Sequence, residues 1–173
     1  MQKRIQRAFG AVVAMGFALV LAAGASQAEA RETVRFTDSY RPGTIVVKTG
    51  ERRLYLVMRG GKAMRYPVGV GRRGKQWQGR TRITRKVVDP TFTPPAQVKR
   101  DIPSLPDLIP PGPRNPLGPR AMTLARGEYA IHGTNRPNSV GGYVSYGCIR
   151  MYNQDVVDLF ERVRVGTPVV VLP

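Results

Sequence analysis

The chain has 173 residues, a formal net charge of +17, one histidine and one cysteine. This length supports one domain with a real hydrophobic core and argues against a second domain. One cysteine cannot form an internal disulfide, and one His with one Cys gives two strong ligands where zinc takes three or four, so we predict neither a disulfide nor a metal site.

The N-terminus predicts a secretory signal peptide. Lys3, Arg4 and Arg7 precede an uncharged stretch of small and apolar residues over 8–24, and small residues then allow cleavage after Ala28 or Ala30. We therefore divide the chain into a signal peptide over 1–28 and one domain over 29–173. An uncleaved anchor is the alternative, because 17 residues is near the lower limit for a membrane span. Either way the domain is expected outside the cytoplasm, with the membrane contacted only through this segment.

The basic charge bears on partners. Removing 1–28 takes away only three basic residues and no acidic one, so the mature chain stays strongly basic. Nucleic acid is a poor candidate, because the chain shows no zinc-ligand cluster, phosphate-binding loop or aromatic-basic stacking motif. An anionic polymer of the cell envelope fits better. For any single arginine, a solubilising role at the surface is the simpler interpretation.

Most ordered segments are predicted to be strands. Short runs rich in β-branched and aromatic residues alternate with glycine-containing turns, which is typical of an antiparallel meander. The runs are 44–48, 53–58 and 64–68, then the weaker 81–87, 121–124 and 128–131, and finally 167–172.

One helix is predicted after residue 152. Val156, Leu159, Phe160 and Val163 recur at helical spacing, and Asn153 is positioned to cap the N-terminus. We expect this helix to cover one side of the sheet and assign it no chemistry.

A proline-rich segment precedes the most informative motifs. Ten of the chain's 15 prolines lie from Pro90 to Pro119. Long loops of this kind are functional loops or linkers, and a linker between domains is disfavoured because strand-like sequence and the His132 motif follow this segment. We expect an ordered loop over an active-site groove, with a purely structural excursion as the alternative.

The single His132 and the single Cys148 are the strongest functional signal. They lie 16 residues apart in His132-Gly133-Thr134-Asn135 and Ser145-Tyr146-Gly147-Cys148. A thiol is an acyl-transfer nucleophile when an imidazole takes its proton. Taken alone, a buried cysteine and a satisfied core histidine are ordinary. Both singletons in glycine-rich surroundings favour a catalytic pair.

The flanking residues suit the same chemistry. Gly147 permits a tight turn before the nucleophile, and successive main-chain N–H groups there can bind an oxyanion. No acidic residue near His132 in sequence could orient the imidazole, so a main-chain carbonyl, that of Gly133 for example, is expected to do so. A serine hydrolase is unsupported, because there is no G-x-S-x-G elbow.

The two motifs together resemble the signature of the L,D-transpeptidase (YkuD-type) catalytic domain. The resemblance extends to 45–47, 53–56, 93–95, 115–121 and 165–171, and so covers essentially the whole mature chain. It implies a mainly β, sandwich-like domain with one or two short helices and a proline-rich active-site loop.

The resemblance also implies roles for individual residues. Cys148 would be the nucleophile, His132 its proton acceptor and donor, and the Gly133 carbonyl the group that orients the imidazole. The backbone of Tyr146, Gly147 and Cys148 would form the oxyanion hole. The two flanking motif residues, Ser145 and Arg150, would shape the site and hold donor-peptide groups. No cofactor is implied.

The activity implied is attack on a peptidoglycan tetrapeptide stem with release of D-alanine, in the periplasm or cell envelope. An amine on another stem would give a 3→3 cross-link, an envelope protein would become anchored to the wall, and water would give L,D-carboxypeptidase activity. Such a transferase would serve peptidoglycan biosynthesis, cell-wall organisation and cell shape. A sortase-like transpeptidase and a non-catalytic basic peptidoglycan-binding module are the alternatives.

Two departures from the family pattern stand out. Tyr146 occupies a position where relatives often have His or Ser, so acceptor contacts or thiol reactivity are expected to differ. Residues 77–80, which begin with the chain's only tryptophan, replace a Thr-Pro-Thr-Gly turn. Neither change removes a catalytic atom.

Overall fold

The structure is a computed structural model that describes residues 31–173. The predicted signal segment lies outside the described residues. The strands are β1 (Glu32–Arg35), β2 (Ile45–Lys48), β3 (Arg53–Met58), β4 (Lys62–Pro67), β5 (Val70–Gly71), β6 (Gly79–Val88), β7 (Arg120–Leu124), β8 (Ala130–His132), β9 (Tyr143–Ser145), β10 (Ile149–Arg150) and β11 (Pro168–Leu172). The helices are α1 (Ala96–Asp101), α2 (Asn153–Arg162) and a 3₁₀ turn at Pro137–Ser139.

Nine strands form one sheet in the order β1-β4-β3-β2-β11-β6-β7-β8-β10, and β5 pairs with β9 separately. The predicted meander is confirmed, since β2, β3 and β4 are consecutive antiparallel neighbours. The closing strand β11 lies beside β2 in parallel and beside β6 in the antiparallel sense. The mainly β fold with two short helices is therefore as predicted, and its strands make a curled sheet.

Strand β6 is where the sheet curls. Its first half pairs with β11 and its second half with β7, and the register shifts between Ile83 and Arg85. A bulge of this kind bends a strand and increases its twist. Ile83 is fully buried at the bend. The curl encloses the main core and brings β7, β8 and β10 around its open side.

Both faces of β2 and β3 are buried, which explains their nearly continuous hydrophobic sequences. Ile45 and Leu54 belong to the main core, whereas their neighbours Val46 and Tyr55 pack in a smaller cluster on the other face. Successive strand residues point to opposite faces, so a strand covered on both sides has no polar alternation.

Helix α2 packs against β7 and β8 as predicted, through buried Val156, Leu159 and Phe160. The predicted cap is wrong. The N-cap residue is Tyr152, which makes no side-chain cap, and Asn153 is the first helical residue. Its Oδ1 accepts a hydrogen bond from the Thr134 N–H at 2.7 Å instead. Asn153 thus ties the start of α2 to the loop after His132.

A second boundary also differs. Residues 128–129 belong to the turn between β7 and β8 rather than to a strand, because the hairpin closes with the Leu124 N–H donating to the Tyr129 carbonyl at 2.9 Å.

The proline-rich segment is ordered, and buried Asn115 fastens it. The Asn115 side chain donates to the carbonyls of Pro90, Ile109 and Pro110 at 2.8 to 3.1 Å. Prolines cannot donate, so a side-chain amide supplies the bonds that a ladder would otherwise provide. Helix α1 within this segment has no buried residue. Within residues 31–173, no helix is long and apolar enough to cross a membrane.

Candidate active site

Two neighbouring strands place the predicted catalytic residues. Strands β8 and β10 are parallel, with Ile131 opposite Ile149 and His132 opposite Arg150. Both isoleucines are buried in the main core. Because side chains alternate along a strand, His132, Cys148 and Arg150 point to the other face. There they line one groove with a cavity volume of about 390 Å³.

The groove has two unlike walls. One wall comes from the proline-rich segment and is mainly apolar, with Arg114 as its charged residue, and the other comes from the loops around β8 to β10 and carries most of the polar groups. The apolar residues of the first wall include Phe92, Pro95, Val98, Ile102, Leu105 and Ile109. The proline-rich segment therefore borders the groove that contains the two singleton residues.

His132 is buried and held in one orientation. Its Nδ1 lies 2.6 Å from the Gly133 carbonyl oxygen. A carbonyl only accepts, so Nδ1 carries the proton and Nε2 is left as an acceptor. Burial lowers the pKa of His132 to about 4; the Arg150 charge adds to this, and the carbonyls of Gly133 and Pro116 oppose it. At neutral pH the imidazole is an uncharged base.

Cys148 is expected to be a protonated thiol at neutral pH. Burial raises the pKa of the thiol, against smaller lowering effects from an Ala130 backbone contact and the Arg150 charge. The S–H donates to the Glu128 carbonyl at 3.9 Å. Among residues 31–173 no hydrogen bond joins Cys148 to His132. Catalytic hydrogen bonds of this kind commonly tighten when substrate binds.

Ser145 fixes the loop before the nucleophile. Its hydroxyl donates to the Cys148 carbonyl at 2.6 Å and accepts from the Gly147 N–H at 3.1 Å. The Gly147 N–H is therefore engaged, which argues against its predicted part in an oxyanion hole. Within residues 31–173 the Tyr146 and Cys148 N–H groups have no acceptor and are the candidates that remain.

Sequence reasoning assigned no role to the aromatic pair behind this loop. The Trp77 Nε1–H donates to the Gly147 carbonyl at 2.8 Å. The Trp77 and Tyr129 rings stack with centroids 5.2 Å apart and planes 9° apart. Gly147 has φ +123° and lies against the Tyr129 ring, so that an added Cβ would be 2.9 Å from Cζ. The signal available in the sequence was that the chain's only tryptophan begins the departing segment 77–80.

Tyr146 links the nucleophile loop to the proline-rich segment. Its hydroxyl donates to Asp101 at 2.8 Å, and Arg72 donates to the same carboxylate oxygen at 2.7 Å. The Arg72 guanidinium also lies 4.1 Å from the Tyr146 ring centroid. Asp101 ends α1, so this contact holds the apolar wall next to the nucleophile loop.

Arg150 brings a partly buried positive charge to the groove. It donates to the Ser139 hydroxyl at 2.9 Å, and its buried Nε has no partner among the described residues. Burial and the nearby Arg136 lower the pKa of Arg150. An anionic group entering the groove would relieve both effects. The predicted role of Arg150 in holding the donor peptide stays a prediction.

The depressed pKa of His132 predicts a pH-dependent stability. An unfolded His132 binds a proton near its ordinary pKa of 6.5, whereas the folded one does so only near about 4. The contribution of the neutral, buried imidazole to the free energy of unfolding is therefore fully present above pH 6.5, and it is lost as the pH falls toward 4. We expect the free energy of unfolding, measured with urea, to be lower at about pH 4 than at about pH 7. This decrease is expected to be about 3 kcal/mol larger in wild type than in His132→Gln. An equal pH dependence in both proteins would contradict a neutral buried imidazole.

Comparisons with known proteins identify the family of this chain. The family model for the L,D-transpeptidase catalytic domain (YkuD) matches residues 42–171. The probable L,D-transpeptidase YbiS of Escherichia coli K12 is 40% identical over an alignment of 134 residues, and the match covers 72% of this chain and 43% of that protein. The chain therefore spans less than half the length of this curated relative.

Two solved structures share the fold. L,D-transpeptidase 3 from Mycobacterium tuberculosis, in complex with a faropenem-derived adduct, has a TM-score of 0.59 at 14% identity, covering 75% of this chain and 60% of its own. A Brucella melitensis structure described as a probable carnitine operon oxidoreductase is 41% identical with a TM-score of 0.54, covering 83% of this chain and 93% of its own. That description is a statement about the Brucella protein alone. By the family model and its curated relatives, the chain belongs to the L,D-transpeptidase (YkuD) catalytic-domain family.

Proposed function

We propose that this chain is an exported cysteine acyltransferase that takes its acyl group from a peptidoglycan tetrapeptide stem and passes it to an amine. The observation that carries the proposal is the parallel pair β8 and β10, which presents His132, Cys148 and Arg150 on one face of the sheet at one groove. Family membership supports the choice of donor.

The first half-reaction needs a base, because both groups start uncharged. His132 Nε2 takes the thiol proton as Sγ of Cys148 attacks the carbonyl carbon before the terminal D-alanine. The carbonyl oxygen becomes an oxyanion beside the Tyr146 and Cys148 N–H groups. When the C–N bond breaks, the protonated imidazole returns the proton to the leaving amine. D-Alanine departs and a thioester remains on Cys148.

The second half-reaction reverses the proton path. An acceptor amine attacks the thioester, His132 takes a proton from that amine, and the S–C bond breaks with return of the proton to sulfur. An amine on another stem gives a 3→3 cross-link, and an amine on an envelope protein gives wall-anchored protein. Water in place of the amine gives an L,D-carboxypeptidase.

The groove suits an anionic peptide. Arg150 has no carboxylate partner among the described residues, and the opposite wall is mainly apolar. A stem peptide offers carboxylates to the first and methyl or methylene groups to the second. The predicted signal peptide and the basic charge support a periplasmic location, where the enzyme would serve peptidoglycan biosynthesis and cell shape.

A non-catalytic wall-binding module, unlike a cysteine transpeptidase of either kind, would leave Cys148 unmodified. Incubation of reduced, folded protein with faropenem, followed by intact-mass measurement, is expected to show one covalent adduct. The matched Cys148→Ala variant is expected to show none, since it lacks the nucleophile. Wild-type protein that binds stem peptides but never acquires an adduct would contradict the enzyme proposal and favour the binding module.

The acceptor is tested in cells. Muropeptides from cells with wild type or Cys148→Ala are compared for 3→3 dimers, protein-modified stems and tripeptides. Loss of dimers in the variant is expected for a cross-linking enzyme. Unchanged dimers together with lost protein-modified stems would reject cross-linking as the main role, and loss of tripeptides alone would indicate the carboxypeptidase.

A further inference from the structure

We infer that Trp77 is a positioning residue that aims the Cys148 N–H into the groove as an oxyanion donor. The inference rests on the proposed acyl transfer. It assigns a role to a residue far from the catalytic motifs in sequence, in a segment where this chain departs from the family pattern.

The peptide bond between Gly147 and Cys148 transmits the effect. Its carbonyl accepts the Trp77 indole N–H at 2.8 Å, and the described chain contains no cis peptide. In a trans peptide, the C=O and the following N–H point in opposite directions. Trp77 and Tyr129 do not line the groove, whereas Tyr146 and Cys148 do. With the carbonyl held toward Trp77, the Cys148 N–H faces the side where substrate binds.

The indole is itself held firmly. Trp77 stacks on Tyr129, both pack against the main core, and the Arg126 guanidinium lies 5.1 Å from the Trp77 ring centroid. Tyr129 in turn leaves no space for a side chain at Gly147. The loop is therefore clamped from behind by ring packing and by one hydrogen bond.

The position of the Cys148 N–H is important because the loop offers few main-chain N–H donors for an oxyanion. The Gly147 N–H already donates to Ser145, so the Cys148 N–H is one of two main-chain donors left in the loop. An N–H fixed before the reaction stabilises a developing oxyanion without reorganising. A hydrogen bond to the carbonyl of the same peptide also polarises its N–H and strengthens donation.

The most specific variant replaces only the indole N–H group of Trp77. β-(3-Benzothienyl)alanine introduced at position 77 keeps the fused ring and its stack on Tyr129 but has sulfur in place of the indole N–H. Trp77→Phe is the second variant, accessible by ordinary mutagenesis. Urea unfolding of both variants verifies that each is folded under the assay conditions.

Two reactions of Cys148 separate oxyanion binding from thiol reactivity. Acylation by faropenem passes through an oxyanion, whereas alkylation by iodoacetamide displaces iodide and forms none. We expect the isostere to lower the first-order acylation constant at saturation by about 10- to 100-fold, less than or equal to the loss of a whole donor. The apparent dissociation constant of faropenem and the alkylation rate across pH are expected to stay within about twofold.

Several results would overturn the inference. Acylation of the isostere at the wild-type rate would show that the indole N–H is unimportant. A parallel fall in alkylation would show that Trp77 acts on the thiol and not on the oxyanion. Wild-type protein that is alkylated but never acylated would overturn the proposed function and this inference with it, whereas the first two results leave the proposed function intact.

Discussion

Replacing His132 with glutamine is expected to slow acylation of Cys148 by about 100- to 10,000-fold at neutral pH, the range attributed to a general base. The expectation follows from two pKa directions. Burial lowers the pKa of His132 to about 4 and raises the pKa of Cys148, so the resting pair is an uncharged imidazole beside a protonated thiol. Without the base, reaction depends on the small fraction of thiolate.

The pH profile distinguishes this mechanism from a preformed ion pair. Wild-type acylation is expected to be nearly constant from about pH 5 to about pH 8, because His132 is deprotonated throughout. In His132→Gln the rate is expected to rise about tenfold per pH unit until the raised pKa of Cys148 is reached. Stopped-flow acylation with faropenem gives both profiles, and Cys148→Ala supplies the background.

Two outcomes would contradict the general-base account. One is acylation of His132→Gln at the wild-type rate at neutral pH. The other is rapid wild-type alkylation by iodoacetamide below about pH 6, which would reveal a thiolate stabilised by a protonated imidazole. The second outcome would also contradict the lowered pKa of His132 and the raised pKa of Cys148 that burial produces.

Sequence patterns predicted the elements that bury a continuous face. Strands β2 and β3 are predicted from continuous apolar runs, and helix α2 from apolar residues at helical spacing, because each of these elements buries side chains in the core. Strands β5, β9 and β10 have two or three residues each, too few for any period. Helix α1 buries no residue and so has no apolar face to detect.

The site divides in a similar way. His132, Cys148 and Arg150 are predicted from the sequence, because two unique side chains and a contiguous motif can be recognised there directly. The residues that hold them in place are not predicted. Trp77 and Gly147 are 70 positions apart, and Asp101 and Tyr146 are 45 apart. Such contacts depend on the curl of the sheet, which no local pattern encodes.

Asn153 shows why a local rule can fail even at the correct residue. Asparagine before an amphipathic run is a good N-cap in isolation. Here Asn153 Oδ1 instead accepts a hydrogen bond from the Thr134 N–H at 2.7 Å. This contact is possible because Gly133 and Gly118, which have no side chains, let two backbone segments lie close to Asn153. The consequence is functional, because the same contact anchors the loop that carries the His132 motif.

Gly147→Ala is expected to destabilise the fold and abolish measurable acylation together. The residue has φ +123°, where a side chain is strained, and the new Cβ would be 2.9 Å from Tyr129 Cζ and 3.0 Å from Cδ1. Strain and overpacking of this kind cost about 1–3 kcal/mol each. Tyr129 cannot easily move away, because it is stacked on Trp77. The loop must shift instead, and it carries the nucleophile.

Gly166→Ala is the matched control, because Gly166 has φ +89° but an added Cβ there would meet nothing within 4 Å. It is expected to be destabilised by the backbone strain alone and to be acylated at the wild-type rate.

Adding Tyr129→Ala to Gly147→Ala removes the overlapping ring, so the changes in the free energy of unfolding are expected to be non-additive. The double variant is expected to be less destabilised than the sum of the two single variants by about 1 kcal/mol or more. Urea unfolding and faropenem acylation measure both effects. Strict additivity would show that the ring does not confine Gly147, and wild-type acylation by Gly147→Ala would show that the nucleophile does not depend on this turn.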